Sequence, residues 1–562
     1  LHPSIGLHHA NRLNSFALAA SEAPFGGTNH SGMGREGGIE GISDYLETKP
    51  TSSVGSENAV ATTEMAYMAL NGIARCQTTQ HYAFTQGFAG ENAIMRLYEN
   101  LPSQNYNYNA YASGWAPIHN QQFHNRTNTI YDGYAWYYYY QLIGQANTII
   151  TRIDAAAGSE SDKKFIKASA LAFRAYSYEK LIHYYCYRWQ DSNNGASQGV
   201  VLRLDESTGD APYATLAETV DQIYKDCQEA ITLFGESGID RPASEVWIPN
   251  ANVAHAVYAR AALFRQDYQT ALDQAKLAKQ GYPLMSNADY KAGFCEPTSE
   301  WIMGSYGDAS ENNWYWSYGT QGACNGHYAT AEGMTTGAGT IGHELISRIP
   351  NNDARKQNFL TEDKFPNLDL SKESETYYTF GILGMEDDDI YAQADSIVKA
   401  HAVKGLNAPY QAGIYYLDAN LKFFVTDQPG VSYLPFIRSS EMVLIEAEAN
   451  YFLHHEAEAQ AALVELNATS GRNPEYTCTK TGEELLSEIQ DYRCLELWGE
   501  GFEWSDFKRW NKAVVRKTFK EGGNAHSTVA ITINPEDGNK WTWGVPLNET
   551  DYNADATAPE IN

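Results

Sequence analysis

Residues 251–279 read ANVAHAVYARAALFRQDYQTALDQAKLAK, two alanine-rich runs split by the polar break Arg265-Gln266-Asp267. Apolar residues recur at three-and-four spacing with small residues beside large aromatics, so two helices can approach closely across a short turn. The same texture returns at Ser439–Leu453 and Glu456–Leu466, and longer helices are predicted over Tyr131–Ile153, Lys163–Tyr187 and Leu216–Leu233. An earlier helix is expected over Glu57–Arg75. Helix, break, helix with an alanine and aromatic seam is the pattern of antiparallel hairpins stacked as a solenoid. The expected fold class is mainly α.

Between the helical blocks the character changes. Residues 1–56 are rich in glycine, serine and threonine and are expected to form a flexible N-terminal extension. The rest divides into a helical region at 57–299 and a second region at 300–562, packed with the first as one unit. EWIMGSYGD at 300–308 and YYLDANLKFF at 415–424 have strand character, as does the alternating tail KWTWGVPL at 540–547. Residues 367–410 are acidic and read as poor in helix.

Composition removes several classes of function. A formal net charge of -29 repels phosphate backbones and no Lys/Arg stripe offsets it, so no nucleic-acid partner is expected. The seven cysteines form no CxxC pair. Cys295/Cys324 and Cys478/Cys494 are two pairings an oxidising compartment would allow. Gly-His343-Glu344 lacks the second histidine of a zinc protease helix, and Gly32-Met-Gly34-Arg-Glu-Gly37 follows no predicted strand. Asp387-Asp388-Asp389 reads as an acidic solvated loop without the spacing of a calcium-binding hand. A structural calcium is the sole metal these residues bring to mind, and no cofactor is expected.

Two features remain. CLELWGEGFEWSDFKRW at 494–510 places Leu495, Trp498 and Phe502 at three-and-four spacing, and Trp504, Phe507 and Trp510 every third residue, as a tight turn would. Glu496 and Glu500 then share one helix face beside Arg493, a poor arrangement for two carboxylates that must oppose each other across a sugar. The segment, with Arg509 near its end, is expected to be a packing clamp. The other feature is aromatic and amide-rich. Asn313, Trp314, Trp316 and Tyr318 lie in one loop, and Tyr108, Asn109, Tyr111 and Trp115 in another. Such rings either fold inward to cap the helices or stack on sugar rings or peptide side chains while amides pair the hydroxyls.

In order along the chain, TEMAYMALNGIA, QLIGQANTIITRID, KASALAFRAYSYEKLIHYY, TVDQIYKDCQEAI, ALFRQDYQTALDQA, Asn352-Asp353-Ala-Arg355, FIRSSEMVLIEAEA and the segment from Arg493 to Trp510 resemble the SusD/RagB family. This resemblance implies tetratricopeptide-like helical hairpins supporting a loop-rich region. It also implies a non-catalytic, lipid-anchored receptor on the outer face of the outer membrane, holding a glycan for a SusC-like TonB-dependent transporter. By carry-over, Asn313, Trp314, Trp316, Tyr318, Tyr108, Asn109, Tyr111 and Trp115 become the ligand-binding residues. The family's anchoring cysteine has no counterpart here, since the first cysteine is Cys76. A secreted polysaccharide hydrolase and a helical-repeat scaffold for another protein are the alternative expectations.

Overall fold

The computed structural model describes residues 59–81, 83–84, 88–107, 115–306, 322–324, 339–366, 368, 377–379, 382–383, 388–401, 414–426, 432–535 and 541–556, and the two-residue strands 25–26 and 35–36. The expectation of a flexible extension at 1–56 lies outside the described residues apart from those two strands.

The helices begin where the side chains satisfy exposed amides. Helix α1 (Thr63–Cys76) is capped by Thr62, α2 (Ile130–Arg152) by Thr129 and α3 (Glu160–Tyr185) by Ser159, each accepting a backbone N–H of the first turn. Helix α4 (Leu216–Ser237) starts with a reciprocal Thr215/Glu218 capping box and stops at left-handed Gly238. Asn250 caps α5 (Ala251–Arg265), and Asp267, from the predicted polar break, caps α6 (Tyr268–Ala278).

The acidic stretch read as helix-poor contains α7 (Asp388–His401), which corrects that reading. Ala394 and Val398 bury one face of it, while acidic residues at a helix start are favoured by the macrodipole. Farther along come α8 (Ser439–Phe452), α9 (Glu456–Val464), α10 (Gly482–Glu496) and α11 (Glu503–Trp510).

Helices α2 to α6 pack each on the next, and α6 packs on α8, which packs on α9. The array therefore runs on in space although residues 279–438 intervene in sequence. Alanines along α5 and α6 are buried at the seams. Two bidentate pairs cross the array, Arg174 to Asp226 (2.8 and 2.7 Å) and Arg260 to Glu441 (both 2.7 Å). One continuous apolar core joins the array to Trp498, Trp504, Trp541 and Trp543, and a smaller cluster forms around α7.

The intervening residues contribute a four-stranded antiparallel sheet in the order Tyr106–Asn107, Thr340–Ile341, Ala419–Asn420, Phe359–Leu360. Strand Trp301–Gly304 forms as predicted and pairs with Pro435–Arg438. The tail at 541–546 is not a strand: Trp543 N–H donates to the Tyr184 carbonyl (2.8 Å) and Gly544 N–H to that of His124 (2.7 Å), so single bonds replace a ladder. All seven cysteines are free thiols, so neither candidate disulfide forms.

Candidate ligand-binding face

The two aromatic segments, about two hundred residues apart in sequence, are flanked by residues that bind one sheet. Tyr106 pairs with Ile341 and Asn107 with Thr340, so residue 108 follows directly on a strand of this sheet. Gly339 turns into that strand at φ 75°, and a Cβ there would lie 2.5 Å from the Tyr106 ring. On the next strand, Asn420 N–H donates to the Gly339 carbonyl (3.1 Å) and its side-chain amide to that of Gly322 (2.6 Å), which follows the Trp314 segment. Tyr108, Asn109, Tyr111, Asn313, Trp314, Trp316 and Tyr318 themselves lie outside the described residues. Trp115 is half-buried, with the Arg96 guanidinium 4.1 Å above its ring.

The sheet is held from beneath by the segment expected to be a clamp. Trp498 stacks on Tyr106 with centroids 4.8 Å apart and donates its indole N–H to the Asn105 carbonyl (2.6 Å). Glu503 accepts from the backbone N–H groups of Gln104 (3.0 Å) and Asn105 (2.8 Å) and from the Asn105 amide (3.1 Å). Burial nevertheless pushes its carboxyl up to about 7. Trp504 and Phe507 are buried against the main core, whereas Phe502 and Trp510 are part-buried. Trp510 donates its indole N–H to Glu448 (3.1 Å), which also receives Arg509.

The local geometry departs from the sequence reading in three ways. Helix α10 ends at Glu496, and Gly499 and Gly501 take φ of 76° and 83°, so Trp498 to Phe502 form a turn and Glu496 and Glu500 do not share a helix face. Residues 503–510 form an α-helix in which Ser505 is internal and donates to Glu99 instead of capping. Arg493 pairs with Asp506 (2.6 Å) and leaves Glu496 to other cations.

Those cations come from distant segments. Glu496 meets Arg355 (3.3 Å), Arg438 (3.2 Å) and Arg472 (3.3 Å), while Glu500 meets Lys422 (2.6 Å) and Arg438 (2.7 Å). Glu300 binds Arg438 and Arg472, and Asp353 binds Arg355. Burial opposes ionisation of Glu496, but Arg472, Arg438 and Arg355 outweigh it and hold its carboxyl at about 2. Each of these carboxylates is engaged by cations of the fold, which leaves none of them disposed as a sugar-cleaving acid. Sequence reasoning missed Arg438, Arg472, Lys422 and Glu300. The available signal was a lone charge inside an apolar run, as in Phe436-Ile-Arg438 and Leu421-Lys422-Phe423.

Together these features define a helical-repeat protein carrying a loop-bearing face on an ion-locked base. Residues 263–555, more than half of the chain, match the family described as SusD family, and residues 44–263 match a related one described as starch-binding associating with outer membrane. The chain belongs to the SusD family. It is similar to a SusD-like carbohydrate binding protein from Bacteroides vulgatus at 19% identity and TM-score 0.70, covering 89% of this chain and 99% of that one. A SusD superfamily protein from Bacteroides thetaiotaomicron is 20% identical at TM-score 0.64 over 89% and 99% of the chains. A laminarin binding SusD-like protein is 16% identical at TM-score 0.58 over 89% and 100%. An aspartate-semialdehyde dehydrogenase (non-phosphorylating) from Halomonas elongata is 54% identical over 37 residues, only 7% of this chain and 8% of that protein. No described helix is long and apolar enough to cross a membrane.

Proposed function

We propose that this chain captures an extracellular oligosaccharide or polysaccharide at the cell surface without catalysis and passes it to a SusC-like TonB-dependent outer-membrane transporter. A lipid anchor on the outer face of the outer membrane would keep it there. The observation that carries this reading is that the strand preceding Tyr108 and the Asn420 amide that holds Gly322, just after the Trp314 segment, belong to one four-stranded sheet. Membership of the SusD family and the glycan bound by one of its structural neighbours support the ligand class. In this reading Trp314, Trp316 and Tyr318 supply stacking faces, Tyr108, Tyr111 and Trp115 supply further ones, and Asn313 and Asn109 bond hydroxyls.

Isothermal titration against laminari-, malto-, xylo- and mannohexaose identifies the ligand, and chromatography of the incubated sugars tests for cleavage. Loss of one stacking ring at ~1.5 kcal/mol raises Kd about tenfold for Trp314→Ala or Trp316→Ala. Wild-type affinity in both variants would refute the site assignment, and product release over time would refute the non-catalytic reading.

A further inference from the structure

The run Trp136-Tyr-Tyr-Tyr-Tyr140 puts five consecutive aromatics on α2, more than one buried face can take. Tyr138 and Tyr139 point into the core and are fully buried, whereas Tyr137 is 40% exposed. Gly133, Tyr137, Tyr140, Gly144 and Thr148 follow one another at four, three, four and four residues and form a single stripe. This stripe lines an open groove of about 1150 Å³, together with Arg203, residues 205–208, Pro546, Asn548 and Glu549.

The groove is built, not left over. Tyr137 is held by Phe84, with centroids 5.0 Å apart, and by an edge contact with His81 at 6.2 Å. Tyr140 spends its hydroxyl on the Val201 carbonyl (2.6 Å) and Trp136 its indole N–H on Glu549 (2.9 Å), so polar ends are anchored while ring surface faces the groove. Gly144 meets nothing within 4 Å of an added Cβ, so no packing contact demands glycine there, and its absence of side chain keeps the stripe bare. The charges of the lining are mostly engaged by the fold: Glu206 holds Arg152 (both oxygens at 2.9 Å), Asp205 accepts the Ser207 N–H (2.8 Å) and Arg203 binds the Gly209 carbonyl. Among its described lining residues Arg203 is the one cation, so an acidic polymer gains little there, while ring faces beside hydroxyl and amide groups suit an uncharged sugar chain.

We infer that this groove is a second binding site, for an uncharged oligosaccharide, separate from the aromatic loops. It shares no lining with the sheet that residues flanking those loops bind, and it depends on the reading of the chain as a glycan receptor only for the choice of probes. The test titrates the four neutral hexaoses into the wild type, Tyr137→Ala, Gly144→Phe and the Trp314→Ala/Trp316→Ala double variant, with hydrogen exchange followed over residues 133–148. The expected result is a site that weakens about tenfold in either groove variant, survives in the loop double variant, and protects 133–148 on saturation. Unchanged binding in Tyr137→Ala with no added protection overturns the groove, even if Gly144→Phe fails to fold. Binding lost in the loop double variant alone overturns the groove but upholds the loops, and binding lost in the groove variants alone does the reverse. Protection of 133–148 by an added peptide mixture and by none of the hexaoses also overturns it.

Discussion

At Glu496 three guanidiniums meet one carboxylate with no access to water, and the arrangement survives only because its neighbours balance. Arg355, Arg438, Arg472 and Lys422 face Asp353, Glu300, Glu496 and Glu500, four charges of each sign. Lys422 also donates to the carbonyls of Glu496 (3.0 Å) and Trp498 (2.9 Å), which joins the network to the turn beneath the sheet. Glu496→Gln leaves a surplus buried cation and costs about 3–5 kcal/mol. Denaturant unfolding measures this directly, and a loss below about 1 kcal/mol would show that the cluster relaxes without penalty. None of this pairing was legible in the sequence. The partners of Glu496 stand at 355, 438 and 472, and local spacing instead suggested Arg493, three residues away, which the fold gives to Asp506.

Elements were legible where periodicity ran long and unlegible where the chain turned twice in a few residues. Helices α2 to α6, α8 and α9 followed from the alanine and aromatic spacing because their buried stripes are unbroken. The passage from α10 to α11 misled because two glycines reset the register, so that Leu495, Trp498 and Phe502 match helical spacing without sharing a helix. Of the candidate ligand residues, spacing located the rings but could not reveal that residues flanking the two segments meet at one sheet, which depends on contacts across two hundred residues. The same contrast separates two glycines. Gly501 has φ 83° and an added Cβ would sit 2.9 Å from the Met95 side chain and 3.1 Å from its Cα, so Gly501→Ala costs about 1–3 kcal/mol. Gly144 lies mid-helix in open space, so Gly144→Ala stabilises by about 0.5–1 kcal/mol. Paired thermal melts check both signs, and a stabilised Gly501→Ala would contradict the strained turn.

The whole molecule carries a pH signature of its interior. Burial pushes Glu99 and Glu503 up to about 7 and Asp132 to about 8. Burial lowers His81, His119, His183 and His401, which adds stability as pH rises toward about 6.5, whereas between about pH 4.5 and 7 the three carboxyls keep protons that the unfolded chain has released, so their contribution falls as pH rises. The formal net charge of -29 near neutrality adds self-repulsion in the same direction. Below about pH 4.5 the trend reverses, because Glu496, held at about 2, contributes stability that is lost as it becomes protonated. Burial lowers Lys508 to about 7 and Lys422 to about 8, so their effect, a rise in stability with pH, begins only above neutrality. Glu503→Gln removes one of these carboxyl contributions, so between pH 5 and pH 7.5 the wild type should lose melting temperature relative to Glu503→Gln. Identical pH profiles of melting temperature in the wild type and in Glu503→Gln would contradict the assignment. The route of the chain through the array has a kinetic side. Because α6 packs on α8 across residues 279–438, and Trp543 rests on Tyr98 and His124, surfaces on both sides of the array are covered only by residues far later in the sequence. Loop closure over such separations is slow, so completion of the core is a late event of folding.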